Sequence, residues 1–351
     1  MRRKRNPFWA LPLKLFGIAV LAALFFFSAL FFWGVVPSAA NDPVRPGGFI
    51  AKVNPKSGVA SIAQQLRSQG IEVNSLLFQL GSRALLVHAK LKPGTYLFPL
   101  EASTAKILLK MARGDSIKES IAFVPGTPIW QLRQIVDAHP ALEHQTKGLS
   151  AAAFSKAVGL SHANAEGLFF PDTYIFDPGE SDLVIYRRAA DAMQKNLAKA
   201  WSNASNISPI KTPYDLLILA SIVEKETGKA SERAQISAVF HNRLRIGMRL
   251  QTDPTVIYGI GPEFDGNLRK VDLRRDSPYN TYMRTGLPPT PIAIPSMESL
   301  LAAANPAKSD ALYFVAKGDG SSYFSKSLAE HEKAVDRYQR SLKVPTKKSS
   351  P

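Results

Sequence analysis

The stretch SIVEKETG, residues 221–228, ends an apolar run of the chain and carries two carboxylates two positions apart. We predict a helix from Tyr214 to about Thr227, because Gly228 is the kind of residue that ends a helix. One stripe of this helix, roughly 120° wide, contains the apolar side chains of Leu216, Leu219, Ile222 and Val223. Glu226 falls in that stripe, whereas Glu224 lies about 200° away around the helix. Glu226 is therefore predicted to be the acid on the apolar face.

Two interpretations of a glutamate on an apolar face remain open. A carboxylate moved from water into apolar surroundings favours its neutral form, so its pKa rises, and a pKa of about 6 suits a general acid. The alternative is that Glu226 pairs with a nearby arginine or lysine, as most helical glutamates do. The spacing of residues alone does not choose between them.

The chain after this helix supplies candidate partners for the acid. A second helix is predicted from Ser231, a good N-cap, to Gly247. This helix and the residues after it could return Arg243, Arg245 or Arg249 toward the acid.

A loop with the sequence DSPYNTYMRTGLPPTPIAIPS, residues 276–296, follows further along the chain. It has no core-like periodicity, and a loop of about 20 residues inside a compact domain is usually functional. Tyr279, Asn280 and Tyr282 are side chains of the kind that stack on sugar rings and bond to their hydroxyls. The loop is therefore predicted to contact a ligand.

The composition excludes several kinds of site. The chain has 351 residues and no cysteine, which excludes disulfides, thiolate metal sites and a cysteine nucleophile. His241 has no second histidine at ligand spacing, so we predict no metal and no other cofactor. There is no G-x-S-x-G motif to indicate a Ser–His–Asp site. The formal charge of +16 favours an anionic partner, although a merely solvated basic surface is the alternative.

Residues 15–36, LFGIAVLAALFFFSALFFWGVV, contain no charge. At about 1.5 Å per residue they make a helix of roughly 33 Å, enough to cross the hydrocarbon core of a membrane. A cleaved signal peptide is the alternative, but the run exceeds the roughly 7–15 apolar residues expected of one. The basic tail, residues 1–14, predicts a cytoplasmic N-terminus and a body outside the membrane. That placement argues against nucleic acid and favours the cell wall as the anionic polymer.

We predict an α+β fold, with two folded regions after the membrane helix. Residues 37–48 are a predicted linker, because proline and glycine punctuate them. Residues 49–118 are predicted to follow the order strand–helix–helix–strand, with a third helix that begins at Ser103 or Thr104 and ends at Gly114. The larger domain, residues 119–343, ends with two strands around a Gly-rich turn and a closing helix. Residues 344–351 are a predicted disordered basic tail.

Several segments of the chain resemble the sequence motifs of a known protein family. ASIVEKET, ASERAQISAVFHNRLRIGMRLQTDPTVIYGIG and YNTYMRTGLPPTPIAIPS closely resemble the endolytic murein transglycosylases, the MltG (YceG-like) family. EGLFFPDTY and ALYFVAKGDGSSYFS fit the same pattern, so the likeness covers nearly the whole chain. The resemblance implies cleavage between N-acetylmuramic acid and N-acetylglucosamine within glycan strands, which leaves 1,6-anhydro-muramoyl ends and limits strand length during wall synthesis. Residues 49–118 resemble the LysM-like domain of the family.

The resemblance also implies roles for individual residues. The catalytic glutamate of the family falls in the EKET motif, which contains both Glu224 and Glu226. Other lytic transglycosylases have a Glu–Ser pair at this place, and the Glu–Thr pair that matches it here assigns the role to Glu226. Glu224 is the runner-up. The residues expected to position the sugar are Gln251, Asp253, Tyr258, Asn280, Tyr282 and Glu166. Asp253 has the alternative role of capping the turn before Pro254.

The implied partners are peptidoglycan glycan strands, the membrane through the N-terminal helix, and peptidoglycan synthases. The implied location is the bacterial cytoplasmic (inner) membrane, crossed once, with the catalytic domain on the wall side. Two rival functions remain: a hydrolytic muramidase in which Asp253 or Glu224 activates water, and a non-catalytic wall-binding scaffold. A nucleic-acid role is a distant third.

Overall fold

The structure is a computed structural model, and it describes residues 10–37, 48–204, 209–226 and 229–340. Three predicted segments lie wholly or mostly outside these ranges: the basic tail 1–14, the linker 37–48 and the C-terminal tail 344–351. The predicted helix end at Thr227 and Gly228 lies outside them as well.

The described residues form a mixed α+β fold, as predicted, in two compact units. The first unit comprises Met1–Glu119 and Ile175–Pro178, and the second comprises Ser120–Tyr174 and Gly179–Pro351.

The N-terminal helix, α1 (Ala10–Trp33), contains a 19-residue apolar stretch, Leu15–Trp33, that is long enough to cross a membrane. The helix ends three residues before the end of the uncharged run in the sequence. Val35 instead forms a β-bridge with Ser103, and the backbone N–H of Val36 donates to the carbonyl of Ala102 over 2.9 Å. The last residues of the run are therefore not helical, and they bond to Ala102 and Ser103.

The first unit contains two strands and three further helices. They are β1 (Gly48–Val53), α2 (Val59–Ser68), α3 (Ser75–Ala84), β2 (Gly94–Pro99) and α4 (Thr104–Arg113). This is the strand–helix–helix–strand order that the sequence predicts, and β1 pairs antiparallel with β2. Ser103 caps α4 by accepting from the N–H of Lys106, and Gly114 ends that helix with a φ of 79°.

The rest of the chain contains six more strands and nine more α-helices within the described residues. They are β3 (Glu119–Ala122), α5 (Ile129–Asp137), β4 (Leu142–Glu143), α6 (Ala151–Val158), β5 (Thr173–Phe176), β6 (Glu180–Ser181), α7 (Asp182–Ser202), α8 (Pro213–Glu226), α9 (Arg233–Arg245), α10 (Asp253–Ile260), α11 (Lys270–Arg274), α12 (Met297–Ala304), β7 (Tyr313–Ala316), β8 (Ser322–Ser325) and α13 (Leu328–Val335). The predicted hairpin around a Gly-rich turn is β7 and β8, which pair antiparallel.

The α8 helix lies at the centre of the second unit, where it packs against α7, α9, α10 and α12. Every residue from Leu216 to Val223 is buried, so the helix is enclosed on all its faces. The prediction of a single apolar stripe was therefore too narrow, because Leu217 and Ala220, on the side predicted for Glu224, are also fully buried. Helical periodicity alone does not distinguish Glu226 from Glu224; their partners do.

Candidate active site

Glu226 is the last residue of α8, and its side chain is partly buried. The hydroxyl of Thr252 donates a hydrogen bond to its Oε1 atom. Burial raises the pKa of the Glu226 carboxyl, and the negative charge of Asp253 acts in the same direction. The Thr252 hydrogen bond and the positive charge of Arg243 oppose this rise without reversing it. The arrangement favours a carboxyl that holds a proton more tightly than an exposed glutamate.

The turn between α9 and α10 holds Thr252 in place. The buried Arg243 donates from Nη1 to the carbonyl of Leu250 over 2.6 Å, so the guanidinium fixes the turn from inside. Gln251 adopts a φ of 47°, a left-handed conformation that is uncommon for a residue other than glycine. The N–H of Thr252 then donates to the hydroxyl of Thr281 over 3.1 Å. A backbone constrained in this way gives the Thr252 hydroxyl a defined direction toward Glu226.

Asp253 and Tyr282 form a second polar pair beside the acid. The hydroxyl of Tyr282 donates to Oδ1 of Asp253 over 2.6 Å. The predicted alternative was that Asp253 caps the turn before Pro254. In the structure Asp253 lies in the first turn of α10, and its side chain accepts the bond from Tyr282 instead. Arg249 donates from Nη1 to the carbonyl of Tyr282 over 3.1 Å and so holds the loop that carries the tyrosine. The side chains of Gln251 and Asp253 are exposed, so both can meet a ligand.

Glu224 has a different set of partners. Its Oε2 atom accepts from the N–H of Ser296 over 2.9 Å and from the hydroxyl of the same serine over 2.5 Å. Its Oε1 atom lies 3.7 Å from Nη2 of Arg233. Because Ser296 is the N-cap residue of α12, Glu224 ties the end of α8 to the start of α12. The pairing with an arginine that was one interpretation of Glu226 is thus found at Glu224.

Asn280, predicted to bind the sugar, has a structural role in the loop. The residue is 1% exposed, and its amide nitrogen donates to the carbonyls of Arg275, Leu273 and Asp272 over 2.7, 3.1 and 3.3 Å. Its Oδ1 atom accepts from the N–H of Tyr282 over 2.9 Å. The expectation of direct contact with a ligand is corrected, because a side chain with this many internal bonds is not available to one. Asn280 instead positions Tyr282.

Glu166, also predicted as a sugar-binding helper, is 0% exposed. Its carboxylate accepts from the N–H of Ile129 over 2.9 Å and from the N–H of Gly167 over 3.2 Å. Burial raises its pKa to about 7, while these bonds and a hydrogen bond with Tyr258 oppose the rise. The prediction of direct contact with the sugar is therefore corrected as well. Glu166 holds the first turn of α5 and the ring of Tyr258 from behind.

Tyr258 remains partly exposed and belongs to an aromatic group. Its ring centroid lies 4.9 Å from that of Trp130 and 4.8 Å from that of Tyr279. The Tyr279 hydroxyl is 2.9 Å from the hydroxyl of Thr290. Tyr258 and Tyr279, both predicted to contact a ligand, therefore lie in one aromatic group with Trp130.

Two places in the described residues bring histidine or acidic side chains into close contact with possible ligand or backbone atoms. His241 is buried, and its Nε2 atom lies 2.9 Å from the carbonyl oxygen of Ala303, a structural contact between α9 and α12. Asp137, His144 and Asp182 form one group with ligand-type atoms within 4.8 Å of one another. Both Asp182 oxygens already accept hydrogen bonds from the backbone of residues 145 and 146, which accounts for the burial of this carboxylate.

Three residues of the site were not singled out from the sequence: Thr252, Thr281 and Trp130. A threonine carries no periodic signal, and Thr252 meets Glu226 across 26 positions of sequence. Trp130 lies in the first turn of α5. A bulky aromatic residue two positions after Pro128, at the start of a helix, was the signal that could have drawn attention to it.

The chain is similar to known proteins over most of its length. The model of the YceG-like family matches residues 51–337. An endolytic murein transglycosylase of Bacillus subtilis is 42% identical over 173 residues, which are 49% of this chain and 48% of the relative. One of Streptococcus pneumoniae is 30% identical over 319 residues, which cover 81% of this chain and 57% of the relative. The chain spans about half the length of the curated relatives that it matches.

The fold also matches a solved structure. The crystal structure of a YceG-like protein from Listeria monocytogenes superposes with a TM-score of 0.52 at 29% sequence identity. The match covers 82% of this chain and 98% of that protein.

Proposed function

Because this chain belongs to the YceG-like family, we propose that it cuts peptidoglycan glycan strands at internal bonds as a membrane-anchored lytic transglycosylase. The observation that carries the proposal is the Glu226 carboxyl, whose pKa burial raises and which interacts with the exposed, negatively charged Asp253. A carboxyl with a raised pKa next to an exposed polar side chain has the properties of a general acid. The names of the bacterial relatives supply the substrate class.

The proposed reaction uses one acid twice. Protonated Glu226 gives its proton to the bridging oxygen as the bond from C1 of N-acetylmuramic acid to N-acetylglucosamine breaks. The C6 hydroxyl of the same muramoyl residue attacks C1, and its proton passes to the Glu226 carboxylate. One C–O bond breaks and one forms, the acid regains its proton, and no water is consumed. The product is a 1,6-anhydro-muramoyl end.

An intramolecular nucleophile removes the need for a second catalytic carboxylate. Hydrolytic glycosidases commonly use two acids, one for the leaving group and one for water or for a covalent intermediate. A hydroxyl on the same sugar instead acts at a high effective concentration once the ring is held in a suitable conformation. Asp253 is then free for its bond to Tyr282, and its negative charge helps Glu226 to keep the proton.

The Thr252 hydroxyl has a part in both halves of this cycle. Its hydrogen bond to Oε1 leaves Oε2 as the oxygen that carries and exchanges the proton. When Glu226 becomes a carboxylate after the first transfer, the same hydroxyl stabilises the charge. The positive charge of Arg243 acts in the same direction.

The proposal places the catalytic unit on the wall side of the membrane. The apolar helix that ends at Trp33 is the proposed anchor, and the basic residues before it favour a cytoplasmic N-terminus. The first unit, with its β1–α2–α3–β2 order, is the proposed LysM-like module next to the membrane. Protease added outside spheroplasts should digest the body of the chain, whereas protection until the membrane is lysed would contradict this topology.

The activity is tested with the full-length protein in detergent micelles and long, uncrosslinked glycan strands. We expect the strands to be shortened by internal cuts and mass spectrometry to find new 1,6-anhydro-muramoyl ends. New reducing muramoyl ends would identify a hydrolytic muramidase instead. Binding of strands without any shortening would favour a scaffold role.

A further inference from the structure

A small pocket opens between the end of α8 and the start of α10. It has a volume of about 170 Å³, and its walls are made by Trp130, Tyr258, Phe264, Pro254 and Lys225 among others. Lys225 is the residue before Glu226 on α8, and Pro254 is the residue after Asp253 on α10, so the two helix ends that carry Glu226 and Asp253 also supply walls of the pocket. Drug-sized ligands occupy pockets of about 300–1,000 Å³. This volume suits a single ring of a longer chain better than a whole small molecule.

Trp130 forms the aromatic wall of this pocket without belonging to the core. The residues of α5 that are buried in the core are Leu132 and Val136, whereas Trp130 is partly exposed. Its ring centroid is 4.9 Å from that of Tyr258, with an angle of 37° between the two planes. The two rings therefore line the cavity with flat apolar surface that is partly open to solvent.

A buried acid fixes the position of this aromatic wall. Glu166 is 0% exposed, accepts from the N–H of Ile129 and lies close enough to the Tyr258 side chain for each group to shift the pKa of the other. Ile129 immediately precedes Trp130, so one carboxyl fixes the start of the helix that carries Trp130 and lies near Tyr258. Burying a carboxyl costs free energy, and a site held by such supporting bonds is pre-organised for its ligand.

We propose that this pocket is a saccharide subsite, in which Trp130 stacks on the apolar face of one N-acetylhexosamine ring of the glycan strand. The inference rests on the proposed function and deepens it. A pyranose ring has a face of C–H groups and a rim of hydroxyls, which matches an aromatic wall with a polar edge. The exposed side chains of Gln131 and Lys225 supply that edge. The ring held here fixes the register of the strand, so that the bond to be cut lies at Glu226.

The test measures binding without turnover. In full-length protein carrying Glu226→Gln, we expect peptide-free glycan strands to bind about tenfold more weakly when Trp130 becomes Ala or Leu, because the flat aromatic surface is lost. Trp130→Phe should keep the affinity within about threefold. Tyr323→Ala removes an exposed aromatic residue of the β7–β8 hairpin and is the matched control, which should bind as the parent does. Equal affinities of the Leu and Phe variants would overturn the subsite, even where the Ala variant is unstable.

Cleavage kinetics separate this inference from the proposed function. With Glu226 intact, Trp130→Leu should raise KM about tenfold and change kcat much less, because binding is lost while the acid stays in place. An unchanged KM with normal cleavage would overturn the subsite alone. Absence of cleavage by the parent protein would overturn the proposed function, whereas the binding comparison in the Glu226→Gln protein would still decide on Trp130.

Discussion

Two carboxylates at the end of α8 stand two residues apart and meet opposite surroundings. Glu224 accepts two hydrogen bonds from Ser296 and lies 3.7 Å from the guanidinium of Arg233. Glu226 accepts a hydrogen bond from the neutral hydroxyl of Thr252, and burial raises its pKa. Both acids are held at the end of a helix that is buried on all sides. The difference between them therefore comes from their partners and not from their depth in the fold.

One helix end thus carries two acids with different partners, of which Glu224 is tied to α12 and Glu226 is the proposed catalytic acid. The carboxylate of Glu224 is bonded to the start of α12 and lies near the positive charge of Arg233, so its partners tie two helices together. Burial raises the pKa of the Glu226 carboxyl and the negative charge of Asp253 adds to the rise, whereas the Thr252 hydrogen bond and the positive charge of Arg243 oppose it. The side chain of Glu224 is 7% exposed, so burial alone would not have identified the acid.

The largest effect is expected from removing the proposed acid. Glu226→Gln should lower the rate of glycan cleavage about a thousandfold, because a neutral amide cannot supply the proton; removal of a general acid typically costs 10²–10⁴-fold. Glu224→Gln should stay within about tenfold of the parent rate per folded molecule. Both rates are measured from the release of anhydro-muramoyl ends. The reverse pattern would assign the reaction to Glu224.

A third acid, the fully buried Glu166, is expected to make the free energy of unfolding depend on pH. Burial raises its folded pKa from 4.5 to about 7, so the folded protein binds this proton more tightly than the unfolded chain. The resulting stability is fully present below pH 4.5 and is lost as the pH rises through 7. The loss is about 3 kcal/mol at the conversion of 1.36 kcal/mol per pKa unit. Urea denaturation from pH 4 to pH 8 should show a flatter dependence for Glu166→Gln than for the parent, and equal slopes would refute the buried neutral acid.

Glu224 should matter for stability more than for catalysis. Glu224→Gln weakens the charge-assisted bonds to Ser296 at the start of α12, and we expect the free energy of unfolding to fall by about 2 kcal/mol. Asp276→Asn is the matched control, because Asp276 pairs with Arg284 while both side chains are largely exposed; it should leave the melting temperature unchanged. A fully stable Glu224→Gln protein with reduced turnover would break the distinction between the two acids.

The smallest effect is expected at Thr252. Thr252→Val removes the hydroxyl that donates to Glu226, with little change in shape. Because that bond lowers the pKa of Glu226, its loss should raise the pKa further and move the alkaline limb of the kcat/KM profile to higher pH. We also expect turnover to fall about tenfold at neutral pH, because the carboxylate formed in the reaction loses a donor. Thr285→Val changes an exposed threonine of the loop 276–296 and is the control, and an unshifted profile for Thr252→Val would contradict the role of this bond.

The parts of the fold that local sequence determines were predicted correctly. The cap at Ser103, the glycine that ends α4 and the hairpin of β7 and β8 all follow from signals within a few residues. The apolar helix was also predicted, although it ends at Trp33 because the following residues pair with the first unit. The burial of α8 on every face was missed, since it depends on helices that are distant in the sequence.

The site shows the same division between local and distant information. The sequence indicated Glu226, Asp253 and Tyr282, and these three side chains lie close to one another in the structure. The partners that distinguish Glu224 from Glu226 are Ser296 and Thr252, which lie 72 and 26 positions away. The helical periodicity of the sequence does not predict contacts between residues that are so far apart in the chain.

The burial of two predicted site residues, Asn280 and Glu166, could not be predicted from their residue types either. An amide or a carboxylate in a motif can contact either a ligand or the backbone behind it. The bonds to the carbonyls near Asn280, and to the N–H groups near Glu166, exist only once the chain has folded.

The proposed reaction uses a single acid and a nucleophile within the sugar, and isotope labelling tests this most directly. Cleavage is run in water enriched in oxygen-18, and the primary products are analysed by mass spectrometry before any further treatment. We expect muramoyl ends in the anhydro form without the heavy isotope, because the C6 hydroxyl provides the oxygen. Primary products with oxygen-18 at C1 would show that water is the nucleophile and would contradict the one-acid mechanism at Glu226.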